Sequence, residues 1–349
     1  MRAVMVGCGA MSNGWLQALR ETEVLRSEVE LVGFVDLDEG LARARADEHG
    51  WTQAAAGGDL SAMLAALRPD LVFDIVVPSA RAKVVRTALA QGCHVLSEKP
   101  MAASLADAQA MIAQGRAAGR LHGVVQNRRW LAGIRRARAL LASGALGEVT
   151  AVHCDFFIGA HFGGFRDAME HVLLLDMAIH TFDAARFVTG LDATAVFCRE
   201  TNPKGSWFAH GASADALFDL EGGATMTYRG SWCAEGATTA WEASWRIVGT
   251  AGTLLWDGNE GFVAERATAG DGLLRPLEAV EVPGLDGPLL EGHAGVIADF
   301  VAAVREGRAP LTPGTDNVRS LAMVLAAIES AETGRRVAVA SPARPQEAA

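Results

Sequence analysis

Acid–base chemistry needs ionisable side chains held away from bulk water, and two stretches of this 349-residue chain supply them. The first is Ser97-Glu98-Lys99-Pro100, which closes the run His94-Val95-Leu96. A lysine at the carboxyl end of a buried strand can take the proton of an alcohol once burial or a nearby cation lowers its pKa. A solvated surface charge is the ordinary role of a lysine; the position at a strand end argues for the chemical one. The second stretch, Leu173 to Phe187, is apolar nearly all round, the mark of a buried helix. At 100° per residue Asp176, His180 and Asp183 fall within roughly 60° of one another. A buried helix with one polar stripe must satisfy those groups, and such costly burial marks functional sites. Three readings stand side by side: a structural His–carboxylate pair, a metal-binding pair, and a proton-handling pair in which Asp176 orients substrate and His180 exchanges a proton. No third and fourth ligand stands at suitable spacing, so no metal is expected.

A redox partner for such groups is written at the amino end. Val6-Gly7-Cys8-Gly9-Ala10-Met11-Ser12 follows an apolar run and opens a helical pattern. Gly7 permits a tight turn, Gly9 lets the backbone approach a pyrophosphate, and the helix start at Ala10-Met11 offers unpaired N–H groups. The next run ends at Val35-Asp36, and a carboxylate there can accept both adenosine-ribose hydroxyls. Asp36 would repel a 2′-phosphate, Asp38 would add to that, and no arginine follows to receive one, so NAD is expected over NADP. Val76-Val77-Pro78-Ser79 closes another run, and ligands of such sheets bind outside the strands' carboxyl ends. Pro78, Glu98 and Lys99 therefore join Gly7, Gly9, Ala10, Met11 and Asp36 on the expected cofactor side.

The elements that must position these groups follow from periodicity. Apolar runs at 3–6, 31–35, 71–77, 94–96 and 123–125 alternate with amphipathic stretches at 38–49, 81–91 and 104–119. Repeated strand–helix–strand order means parallel strands with crossover helices, so residues 1–126 read as a doubly wound Rossmann domain in an α/β protein. After a helix near 130–142 the strands lengthen and alternate. Glu221-Gly222-Gly223 joins 212–220 to 224–232, and Gly249-Thr250-Ala251-Gly252 joins 245–248 to 253–256, two hairpin signals. Residues 127–349 read as an α+β domain with a large, open, mostly antiparallel sheet and two final helices, near 293–306 and 315–334. Ser341 to Ala349, rich in Ala and Pro, reads as a frayed tail.

Composition narrows the class of partner. A net charge of -10 argues against nucleic acid, which needs clustered Lys and Arg. Five scattered cysteines suggest neither a zinc site nor a disulfide framework. No apolar run reaches membrane-spanning length and no export signal is visible, so a cytoplasmic protein is expected.

Taken together, Gly7-Cys8-Gly9, Asp36, Glu98-Lys99-Pro100, the pattern Asp176…His180…Asp183, Gln126-Asn127-Arg128-Arg129 and Gly144 to Val149 resemble the glucose-fructose oxidoreductase/inositol dehydrogenase/MocA family over almost the whole chain. The resemblance implies hydride transfer between NAD and a secondary hydroxyl of a sugar, inositol or related polyol. It implies that Lys99, Asp176 and His180 surround the reacting carbon, with Lys99 and His180 as acid/base groups. It also implies an open second sheet that joins subunits into a homodimer or homotetramer. Arg129 and Trp130, and His161, Arg166, Glu170 and His171 just before the second stretch, are candidate substrate contacts. The chain departs from the family at Glu170-His171-Val172, where three glycines are common. It departs again at Ser79-Ala80-Arg81, where a histidine often follows the proline; Arg81 there is either a selector of acidic substrates or an exposed helix-start arginine. The family also contains NAD-dependent glycosidases and a non-catalytic sugar-sensing regulator, which are the alternative readings.

Overall fold

The computed structural model describes residues 1–340; the expected frayed tail from 341 onward lies outside them. The contacts divide the chain into two compact units, one of Met1–Trp130 with Leu290–Leu321, the other of Leu131–Leu289 with residues 322–340.

The first unit is built on six parallel strands: β1 (Arg2–Val6), β2 (Glu30–Val35), β3 (Ala55–Gly57), β4 (Leu71–Asp74), β5 (His94–Ser97) and β6 (His122–Val124), in the order β3-β2-β1-β4-β5-β6. The crossovers are α1 (Ser12–Glu21), α2 (Glu23–Glu28), α3 (Glu39–Glu48), α4 (Leu60–Leu67), α5 (Pro78–Ala90) and α6 (Leu105–Ala118). Ala3, Val4 and Met5 of β1 are fully buried, as strands covered on both faces must be. Strand order reverses between β1 and β4, and a crevice opens there at the carboxyl ends. The expected strands are all present. β3 has only three residues and no β-branched side chain, too little to register as a run.

The sequence places a domain boundary at 126, yet residues 290–321 return to the first unit. Thr312 accepts the Val124 amide (3.0 Å), and Gly123 bridges Pro313 beside β6. Arg129 pairs with Asp316 (2.6 Å), and Trp130 is 4% exposed. An uncovered edge strand and two large side chains recruit a distant segment that periodicity cannot assign.

The second unit carries a nine-stranded sheet. Its strands are β7 (Val149–Phe157), β8 (Ala193–Thr201), β9 (Ser213–Leu220), β10 (Thr225–Ser231), β11 (Ser244–Gly249), β12 (Gly252–Trp256), β13 (Phe262–Ala267), β14 (Leu277–Ala279) and β15 (Val337–Ala338). They lie in the order β14-β13-β12-β11-β7-β10-β9-β8-β15, antiparallel except for β7 with β10. Both expected hairpins form: Asp219 faces Thr225, and Val248 faces Thr253. The helices are α7 (Ala132–Ala142), α8 (Ile179–Thr189), α9 (Gly292–Glu306) and α10 (Gly314–Thr333); α9 lies wholly in the first unit and α10 spans the division at 321/322.

One buried imidazole reports on the integrity of the first sheet. His122 Nε2 lies 2.8 Å from the Ser97 hydroxyl, and burial, then the Arg81 charge, pushes the ring down to about 4. The folded chain holds it neutral while the unfolded chain protonates near 6.5, so its contribution is present above 6.5 and is lost as pH falls toward 4. Over that window wild type should lose ~3 kcal/mol more unfolding free energy than His122→Gln. Urea titrations at pH 7 and 4.5 that show equal losses would remove the assignment.

Candidate active site

The crevice of the first unit is a cavity of about 880 Å3 lined by Gly7, Gly9, Asp36, Ser61, Val77 and Lys83 among others. Gly7 holds φ +92°, and a Cβ there would lie 2.7 Å from the Ile75 carbonyl carbon, so only glycine lets β1 and β4 approach at the turn. A Cβ on Gly9 would meet nothing within 4 Å; the open space above it is where a phosphate group can approach the backbone. Asp36 is locked: Oδ2 accepts the Cys8 amide (2.8 Å) and Oδ1 the Asp38 amide (3.1 Å). Its carboxylate, half-buried on the cavity wall, has lone pairs left for two hydroxyls. These residues fit a dinucleotide. The Cys8 thiol, pushed up to about 12 by burial and the Asp36 charge, is an inert packing group.

Ala10 and Met11 stand exposed at the start of α1, and Pro78 is the first residue of α5, whose Ala80, Lys83, Val84 and Thr87 face the cavity at helical spacing. Sequence reasoning missed Lys83 and Ser61, although the helical period of α5 could have found the lysine.

Asp74 pairs with Ser97, so Val76-Val77 and Glu98-Lys99 leave neighbouring strand ends on the same side of the sheet. Glu98 is 6% exposed and does not line the cavity. One oxygen accepts the Trp15 indole (2.8 Å) and faces His293 Nε2 (3.4 Å); the other accepts the Lys99 amide (3.1 Å). Burial alone would raise this carboxyl, but His293, Lys99 and Trp15 outweigh it and hold it down to about 2. Glu98 is thus an ionised anchor beneath a half-buried Lys99. His293, on α9, could not be foreseen from the local motif.

Arg81 is neither exposed nor turned to a ligand. It is 1% exposed, donates from Nε to Asp74 Oδ2 (3.1 Å), and reaches the Pro100 and Val76 carbonyls with its other nitrogens. Burial, which exceeds the pull of Arg81, raises Asp74 to about 6. Arg129 and Trp130 are likewise interior: Arg129 donates to the Leu311 carbonyl (3.0 Å) and Asp316. The exposed helix-start position expected for Arg81 is thus corrected, and Arg129 and Trp130, which follow β6, are held among interior partners.

In the second unit the expected buried helix begins differently. Leu173–Ala178 form a π-turn that passes into α8, and its i→i+5 pattern breaks the 100° step. Asp176 accepts Arg166 Nε (2.9 Å), whose guanidinium lies over the Phe162 and Phe165 rings at 5.0 and 4.9 Å. His180 is half-buried one turn on. Asp183 is 1% exposed and stands 3.8 Å from Arg186, which also pairs with Asp192 (2.7 Å), an interior ionic cluster. His161 stacks on Trp207 at 3.7 Å, Glu170 is exposed, and His171 pairs with Glu200. Among the described residues no group of His, Cys, Asp and Glu is arranged to hold a metal, and no helix is long and apolar enough to cross a membrane.

Residues 1–126 match the family described as oxidoreductase, NAD-binding Rossmann fold, and residues 134–255 match the GFO/IDH/MocA C-terminal domain. The chain is 28% identical to a D-apiose dehydrogenase from Paraburkholderia graminis, over 97% of this chain and 90% of that one. It is 29% identical to an inositol 2-dehydrogenase from Ralstonia nicotianae, over 59% and 60%. An oxidoreductase from Agrobacterium radiobacter, solved with NAD+, L-tartaric acid and magnesium, superposes with a TM-score of 0.84 at 25% identity, covering 97% of this chain and 98% of that one.

Removing Arg81 leaves a buried carboxylate without its cation. Arg81→Met should cost ~3–5 kcal/mol of unfolding free energy, and adding Asp74→Leu should restore most of it. A single variant as stable as wild type in urea would show that the pair does not hold the strand ends.

Proposed function

The chain belongs to the GFO/IDH/MocA oxidoreductase family, and on that premise we propose that it moves a hydride between NAD and a secondary hydroxyl of a sugar, inositol or related polyol. One observation carries the reading: a cavity with a glycine turn and a fixed Asp36, and Lys99 leaving the strand next to its wall. The relatives' names, a D-apiose dehydrogenase and an inositol 2-dehydrogenase, support a carbohydrate substrate.

When bound, NAD supplies the hydride acceptor. Gly7 and Gly9 are assigned to the pyrophosphate and Asp36 to the ribose hydroxyls, which favours NAD over NADP because a 2′-phosphate would meet a carboxylate. Lys99, held from below by Glu98, is assigned the substrate hydroxyl proton. Asp176 is assigned to orient that hydroxyl and His180 to exchange the proton with water. Arg129, Trp130 and Arg81 are assigned to packing, not to substrate. Copies of the chain are assigned to pair through the open face of the nine-stranded sheet, which exposes Phe197, Leu217 and Val263. The expected compartment is the cytoplasm.

The test is a panel of sugars, inositols and sugar acids followed by NADH absorbance. Lys99→Ala should lower kcat by about a hundredfold or more while NADH affinity, read by fluorescence, stays within about twofold of wild type. Equal losses in both would make Lys99 a cofactor clamp. Asp36→Ser should move the ratio of NADH to NADPH affinity toward NADPH; an unmoved ratio would remove Asp36 from the ribose.

A further inference from the structure

His171 combines two features that neither packing nor the assigned chemistry explains. Its backbone sits at φ +51°, a left-handed conformation that L-residues rarely adopt. Its ring is gripped at both nitrogens: Nδ1 lies 2.6 Å from Glu200 Oε2 on β8, and Nε2 3.4 Å from Glu332 on α10. We propose that His171 is a positioning residue whose clamped ring holds the left-handed turn from which the Asp176-bearing π-turn starts, and so sets the position of Asp176. The proposal rests on the role assigned to Asp176 above.

The chain connection is direct. The His171 carbonyl accepts the Leu175 amide (2.9 Å), the first bond of the helical segment that carries Asp176 on its next residue. A turn with an unfavourable φ persists only where its surroundings over-determine it. Here the surroundings are two carboxylates. Glu200, 10% exposed, is the stronger partner; Glu332, 61% exposed, is screened by water. Gly211 lies so close to the Glu200 side chain that a Cβ would lie 2.5 Å from it, so the carboxylate's position requires glycine there.

The carboxylates facing the ring are Glu200 from β8, Glu332 from α10 and Glu170 from its own turn. The Glu200 hydrogen bond, against the opposing effect of burial, raises the imidazole above its usual range. A raised base contributes fully below pH 6.5 and loses its contribution as pH rises through the folded value. The clamp therefore loosens on the alkaline side.

The test compares wild type with His171→Gln, His171→Gly and Glu200→Gln. Glycine relieves the backbone and removes the ring, so it separates strain from clamp. Protection of the 172–178 peptide, taken as the exchange rate relative to the intrinsic rate at the same pH, should fall in all three variants at pH 6.5, and in wild type only as pH rises. With any polyol that wild type oxidises, kcat should fall about tenfold, with NADH affinity unchanged. The alkaline decline of the wild-type kcat profile should be absent in His171→Gln. Unchanged exchange in His171→Gly and His171→Gln would overturn the clamp whether or not a substrate is known. Quickened exchange with an undiminished kcat would overturn its link to Asp176. Protein that shows the exchange pattern but oxidises no polyol would leave the clamp standing and defeat the proposed reaction instead.

Discussion

A guanidinium with almost no access to water, that of Arg81, ties three turns of the first unit together. It holds the Asp74 carboxylate at the end of β4, the Val76 carbonyl in the cavity wall and the Pro100 carbonyl just past Lys99. The Glu98 amide still reaches the Asp74 carbonyl (2.8 Å) just past the end of β5, and beyond it Arg81 spans the two strand exits. One planar donor with five N–H groups can span such a gap where a single-point ammonium cannot. The dinucleotide cavity and the lysine beside it depend on that tie.

Beneath it lies a graded set of charges. Asp74 is held near the upper end of the carboxylate range, at about 6, while Glu98 is held at about 2. Both are buried, and the difference comes from their donors. Asp74 has one cation and the Val76 amide against complete burial. Glu98 gathers an indole, an imidazole and the amide of the residue it supports. Burial alone raises both groups; the number of donors aimed at the ionised form decides which way each ends. Helices from opposite ends of the chain, α1 and α9, meet at this one carboxylate.

How much of this was legible in the sequence depends on range. Gly7, Gly9 and Asp36 could be placed because a tight turn, a close approach and a strand-end acid are local demands. The two hairpins of the second sheet were legible for the same reason, since Gly222 and Gly249 stand between alternating strands. Lys83 escaped because its place on the cavity wall is set by the face of α5 that meets the cavity. His293 escaped because its partner lies nearly two hundred positions away. The burial of Arg81, Arg129 and Trp130 was not legible because their neighbours in sequence are loop-like while their neighbours in space are interior. The 100° step expected from Asp176 to His180 does not hold, because a π-turn cannot be told from an α-turn when the flanking residues are apolar.

The late return of residues 290–321 sets the order in which this protein can mature. The edge of β6 and the underside of Glu98 stay uncovered until α9 and the strand-like segment at 311–313 have left the ribosome. The first sheet to be synthesised is therefore among the last structures to be completed. A chain interrupted before residue 290 would present an open parallel edge to chaperones and to its own copies. The nucleotide-binding half cannot be shuffled as a contiguous module: any recombination that transplants it must carry a piece from each side of the sheet-bearing insert.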